Sequence, residues 1–91
     1  PFNGDISNWD VSSVTNMEGM FYSTSFNGDI SSWDVSSVIF MTGMFDSNSS
    51  FNQNLSSWNV TNVTQCYSFS NGSSNWSLSK PNFTNCSESP G

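Results

Sequence analysis

FNGDISSWDVSSVIFMTGMF, Phe26 to Phe45, has a near copy on each side. Upstream, FNGDISNWDVSSVTNMEGMF runs from Phe2 to Phe21; downstream, FNQNLSSWNVTNVTQCYSFS runs from Phe51 to Ser70. Phe2, Phe26 and Phe51 stand 24 and 25 residues apart, as do Trp9, Trp33 and Trp58. Self-similarity at this period is the mark of a chain built from stacked repeats. The expected fold is a repeat solenoid, with repeat 1 over residues 1–25, repeat 2 over 26–50, a divergent repeat 3 over 51–76 and a C-terminal cap or tail over 77–91.

Apolar residues recur as columns: Ile6, Ile30 and Leu55; Val11, Val35 and Val60; Val14, Val38 and Val63; Met17, Met41 and Cys66; Met20, Met44 and Phe69. The three tryptophans read as core. Alternation around Trp9 to Val11 predicts a short strand, repeated at Trp33 and Trp58 to give a narrow parallel sheet. The spacing of three in Val14, Met17 and Met20 predicts a 3₁₀ or short α turn, with Ser12 and Ser13, or Ser36 and Ser37, at its start. Gly19 and Gly43 mark a bend, and the Phe-Asn-Gly-Asp runs read as turns with Phe2 and Phe26 tucked inward. The single length change, between Asp46 and Ser50, predicts an outer loop.

Ninety-one residues bound the chain to one domain, and a 34% hydrophobic share is thin for a compact core. Aromatic residues at 15% help, because each buries a large area. Seven acidic residues face one cation, Lys80, so no basic patch exists to displace counterions from nucleic acid or to meet an anionic membrane. No apolar run reaches membrane-spanning length. Pro1 immediately before a repeat boundary reads as a piece of a longer precursor or a processed form. Without histidine, a phosphate-binding glycine loop or a nucleophile triad, an enzyme is not expected.

Two features point outside the cell. Asn48, Asn54, Asn59, Asn62, Asn71, Asn75, Asn82 and Asn85 all fit N-x-S/T. So Ser- and Thr-rich a composition yields roughly four such matches by chance, but all eight lie in the second half. Cys66 and Cys86 are the only cysteines. A bridge between them would close the end of the stack and suits an oxidising compartment; otherwise Cys66 merely replaces Met in its column and Cys86 is free.

The pattern F-N-x-D-I-S-x-W-D-V-S-x-V-x-x-M-x-x-M-F resembles the BspA-type leucine-rich-like surface repeat, also called DUF285 or the Mycoplasma lipoprotein repeat. Phe2 to Phe21 and Phe26 to Phe45 match throughout; the third copy matches from Phe51 to Val63 and departs at Gln65 to Ser70. The resemblance implies right-handed, leucine-rich-like coils, a Cys-containing terminal segment, and a secreted or cell-surface role in adhesion or scaffolding without catalytic residues.

Two residue sets remain as site candidates. Asp5 and Asp29 share a column, as do Asp10 and Asp34, which makes them Ca²⁺ candidates between coils; against this, Asp in such contexts favours turns by bonding its own backbone. Ile39 and Phe40 replace the polar Thr15-Asn16 and Thr64-Gln65, and so mark either a contact patch for a neighbouring chain or a local packing variant. The expected function is a non-enzymatic, extracellular structural glycoprotein module that scaffolds or adheres. Its open first face of Ile6, Trp9, Val11, Val14 and Met17 would take neighbouring repeats or stack end to end into filaments. The alternative is an adhesin module binding a glycan or receptor at the end of a longer repeat array.

Overall fold

Each repeat opens with the same two turns. Trp9 N–H donates to the Ile6 carbonyl at 3.1 Å and Val14 N–H to the Val11 carbonyl at 3.0 Å; Trp33 to Ile30 and Val38 to Val35 repeat the pair, as do Trp58 to Leu55 and Val63 to Val60. The residue before each turn is Asp or Asn, and its Oδ1 accepts the N–H two residues on: Asp5 from Ser7, Asp10 from Ser12, Asp29 from Ser31, Asp34 from Ser36, Asn54 from Ser56 and Asn59 from Thr61. The alternation read as a strand is thus two consecutive turns, each started by a side chain that competes with the backbone for its own donors.

The computed structural model describes residues 4–88, so Pro1 and the inward placement expected of Phe2 lie outside the described residues. Among these, no helix and no extended strand forms. Parallel pairing is confined to the isolated bridges Asn16 with Phe40 and Phe40 with Gln65. The principal extents are 30 × 29 × 20 Å. The expected right-handed, leucine-rich-like solenoid of parallel strands and helical turns is therefore overturned; the chain is a compact body of turns.

The helical expectation fails for a specific reason. Met20, Tyr22 and Thr24 donate back three residues, to Met17, Gly19 and Phe21. The intervening donors Met17, Gly19, Phe21 and Ser23 instead reach sideways to the carbonyls of Phe40, Thr42, Met44 and Asp46 in repeat 2, at 2.8–3.0 Å. Gly19 and Ser23 sit at φ of 63° and 55°, in the left-handed region, so a right-handed helix cannot continue through them. No helix start exists for Ser12 or Ser36 to cap; their hydroxyls bond Asp10 and Asp34.

The core is a ladder of aromatic rings flanked by the aliphatic columns. Phe21 stacks on Phe26 at 4.3 Å and Phe45 packs on Phe51 at 4.2 Å; Phe21 to Phe45 at 5.4 Å joins the two pairs. Trp76 meets Phe45, Phe51 and Phe69 at 4.7–5.8 Å, and Phe83 ends the series edge-on against Phe69 at 4.9 Å. The length change at Asp46 to Ser50 is not an outer loop throughout. Asn48 is fully buried, its Nδ2 donating to the Phe26 carbonyl and Thr24 Oγ1 while its Oδ1 accepts from Ser50 and Phe51 N–H. The extra residue lets one amide satisfy backbone groups that ring packing takes from water.

Candidate functional site

The turn carboxylates are spent on the turns. The Ser7 N–H, then its hydroxyl, holds the Asp5 carboxyl below the ordinary aspartate value; the Ser12 hydroxyl, then its N–H, does the same for Asp10. Asp29 and Asp34 are lowered alike, first by the hydroxyls and then by the N–H groups of Ser31 and Ser36, with Asp10 opposing slightly at Asp34. Asp5 and Asp29 line a polar hollow of about 490 Å³ with Gly4, Ser7, Gly28 and Ser32. Among the described residues, no group of three or more His, Cys, Asp or Glu gathers to hold a metal ion. Each of the four Ca²⁺ candidates accepts, through Oδ1, the N–H bond that starts its turn.

The same geometry accounts for part of the sequon pattern. Asn54 occupies the column of Asp5 and Asp29, and Asn59 that of Asp10 and Asp34. Each repeat requires a small Oδ1 acceptor followed two residues on by Ser or Thr, so an Asp-to-Asn change there writes N-x-S/T whether or not a glycan is attached. Asn48, one of the eight sequon asparagines, is fully buried, with its Nδ2 bonded to the Phe26 carbonyl within the core. Nδ2 of Asn62 donates to the Ser36 carbonyl, that of Asn85 to Thr61 and that of Asn71 to the Asp46 carboxylate. Asn54, Asn59, Asn75 and Asn82 are exposed, and among the described residues their Nδ2 atoms make no hydrogen bond.

Cys66 and Cys86 form a disulfide, with Cα atoms 5.9 Å apart. It ties residues 81–88 across the last repeat, where Asn85 reaches the Thr61 carbonyl and Glu88 accepts from Ser68 and Ser70. Ile39 is 36% exposed and Phe40 half-buried, and their backbones join neighbouring repeats: Ile39 and Phe40 N–H both reach the Thr15 carbonyl, and Thr64 N–H reaches the Ile39 carbonyl. The candidate patch is one exposed Ile within a threonine column.

Sequence reasoning missed the first edge. Ile6, Val11 and Met17 were expected to lie open and are buried, and Val14 is half-buried. Trp9, expected in the core, is 54% exposed, whereas Trp33 and Trp58 are each 4% exposed. Trp33 Nε1 donates to the Ile6 carbonyl at 3.0 Å and Trp58 Nε1 to Ile30 at 3.1 Å; Trp9 has no such acceptor among the described residues. Beside it lies an apolar cleft of about 300 Å³, lined by Ile6, Trp9, Met20, Phe21, Thr24 and Phe26. Order among the copies was the available signal: Trp33 and Trp58 each donate to the copy before their own, and Trp9 belongs to the first of the three copies.

No curated protein and no solved structure matches this chain. A family model does, over residues 1–88, which span all three repeats and the bridged tail. The chain belongs to the family described as Mycoplasma protein of unknown function, DUF285.

Proposed function

We propose that the chain is a non-enzymatic structural module of an extracellular or cell-surface protein, working as a scaffold or adhesion element. The observation that carries this is where its reactive groups go. Acidic, amide and hydroxyl side chains are consumed by turns and backbone carbonyls, and among the described residues every buried side-chain nitrogen or oxygen has a partner. Catalysis needs groups held ready with shifted proton affinities in a cleft; here the lowered carboxyls lie on the surface and support turns. The disulfide supports an oxidising compartment, and Asn54, Asn59, Asn75 and Asn82 are the sites a glycan would fit.

Mass spectrometry of protein recovered from its native source tests this. Released surface material should carry the bridge between Cys66 and Cys86, with sugar on the open asparagines and none on Asn48. Free thiols in protein held inside a reducing cytosol would sink the proposal.

Trp9 favours a second reading, the glycan- or receptor-binding adhesin. An exposed indole beside an apolar cleft is a common stacking platform for a ligand. Glycan-array binding that quenches Trp9 fluorescence, lost in Trp9→Ala with the fold intact, would establish it over a purely structural role.

A further inference from the structure

Asn-Gly occurs at Asn3-Gly4, Asn27-Gly28 and Asn71-Gly72. Asn3 lies outside the described residues, and the other two pairs are placed very differently. Asn27 Oδ1 accepts from Asn52 N–H at 2.7 Å and from Gln53 Nε2 at 3.2 Å, and Gln53 Nε2 also reaches the Asn27 carbonyl at 3.0 Å. Its glycine is half-buried, and the Phe26 ring comes within 2.6 Å of where a Cβ on Gly28 would stand. Asn71 and Gly72, by contrast, are both exposed. The Asn71 side chain makes one bond, from Nδ2 to Asp46 Oδ1 at 3.3 Å, and its Oδ1 accepts nothing among the described residues. Gly72 N–H donates to nothing among them either, whereas Ser23 and Ser47, at the same place in the earlier copies, donate to the Asp46 and Asn71 carbonyls at 2.8 and 2.7 Å.

Asn71 also opens a sequon, Asn71-Gly72-Ser73, but the hydroxyl that completes it is spent. Ser73 is buried, and its Oγ donates to the Phe45 carbonyl at 2.6 Å. Glycan transfer reads that hydroxyl together with the asparagine. In the folded chain the Asn71 amide is therefore a poor sugar acceptor and stays bare to water.

We propose that Asn71 is a self-modification site, at which Gly72 converts the amide to aspartate and isoaspartate with water as the co-reactant. Hydroxide removes the Gly72 amide proton, and the nitrogen attacks Asn71 Cγ. The new N–Cγ bond forms, the Cγ–Nδ2 bond breaks, and the amide nitrogen takes a proton from water and leaves as ammonia. Water then opens the five-membered imide at either carbonyl carbon. Gly72 puts no side chain in the way of ring closure, and its φ of 75° is one that glycine holds without strain. The aspartate product sets a carboxylate where Nδ2 had donated to Asp46, so an attraction becomes a repulsion between like charges. The isoaspartate product runs the main chain through the former side chain and displaces the carbonyl that Ser47 N–H uses. Each product loosens the contact between repeats 2 and 3.

Ageing the folded, oxidised full chain in warm, mildly alkaline buffer tests this, with chymotryptic peptide mapping by mass spectrometry to separate the asparagines. Asn71 should gain the mass difference between an amide and an acid, as two products, with ammonia released. It should convert about tenfold faster than Asn27, whose carboxamide must first give up its bonds to Asn52 and Gln53. Conversion at Asn27 as fast as at Asn71 would overturn the proposal. So would an Asn71 that stays intact in the fold while the free peptide Ser70 to Ser73 converts alongside it. The loosening has its own reading. The aged chain, folded before it converts, and the Asn71→Asp variant should both melt at least about 4 °C lower than the fresh chain. Asp46→Asn should return most of that loss to Asn71→Asp. An unchanged thermal midpoint in both would overturn the claim that the modification acts on the contact between repeats.

Discussion

Trp9 and Trp33 sit in nearly the same sentence of sequence, D-I-S-N-W-D-V against D-I-S-S-W-D-V, and make the same backbone turn. One is 54% exposed, its indole without an acceptor among the described residues; the other is 4% exposed and bonded to Ile6. Nothing local separates them. Trp33 has a layer in front of it that supplies a carbonyl and a surface including Phe21, 6.3 Å away between ring centroids. Between copies of one motif, burial of the same residue depends on what the neighbouring copy supplies.

The contrast can be broken most forcefully at its buried member. Trp33→Ala should cost about 3–5 kcal/mol, since it removes a large buried ring and leaves the Ile6 carbonyl one partner short; urea denaturation should show the midpoint collapse. A loss under about 1 kcal/mol would place Trp33 with Trp9. The far end comes next. Cutting the bridge with Cys86→Ser should cost about 3 kcal/mol in the chain-entropy model for a loop of this length, read as a lower thermal midpoint. At Trp9, substitution by Ala should stay below about 1 kcal/mol, as for other surface changes away from packed groups, and the ratio of the two Trp effects measures what one neighbouring layer contributes.

A smaller test concerns the left-handed positions. Gly19 and Gly43 share a column with Ser68, which holds φ of 57° with a Cβ. Ser68→Gly should stabilise by about 0.5–1 kcal/mol as left-handed strain is relieved, with unchanged Cys66–Cys86 bonding. The least demanding prediction is pH dependence. Asp5, Asp10, Asp29 and Asp34 are lowered in the fold, so their contribution is full above the ordinary value of 3.8 and is lost as pH falls from there through the folded values. Repeats 1 and 2 carry all four, while repeat 3 uses Asn54 and Asn59. Changing the four to Asn should flatten the acid limb of a thermal-midpoint profile while keeping the turns; an unchanged limb would show that the turns draw nothing from the charge.

Much of the inside was legible. Ile30, Val35, Val38, Met41 and Leu55 are buried as their columns predict, and Cys66 and Cys86 are joined. The solenoid of strands and helical turns was not what those columns built. Period-two alternation fits a strand only when the polar residues leave the backbone free; here Asp and Ser fold it into turns. Spacing of three fits a helix only when the N–H groups point back along the chain; here alternate ones point to the next repeat. Asn48 was hidden because its sequon and its length change both read as surface, while one buried amide joining two repeats has no signature in either.

The amino-acid sequence alone determined which side chains recur together, and therefore which would be apolar inside, because burial follows residue type and spacing. It also carried the turn code, an Asp or Asn followed two places on by Ser or Thr, since that bond is local. Only the tertiary structure decided which donors leave their own repeat, which of eight asparagines is locked in the core, and that Trp9 is exposed while Glu88 bonds the last repeat. Those outcomes depend on what lies one layer away, and a hydrogen bond or a buried surface needs both of its partners before it has an energy.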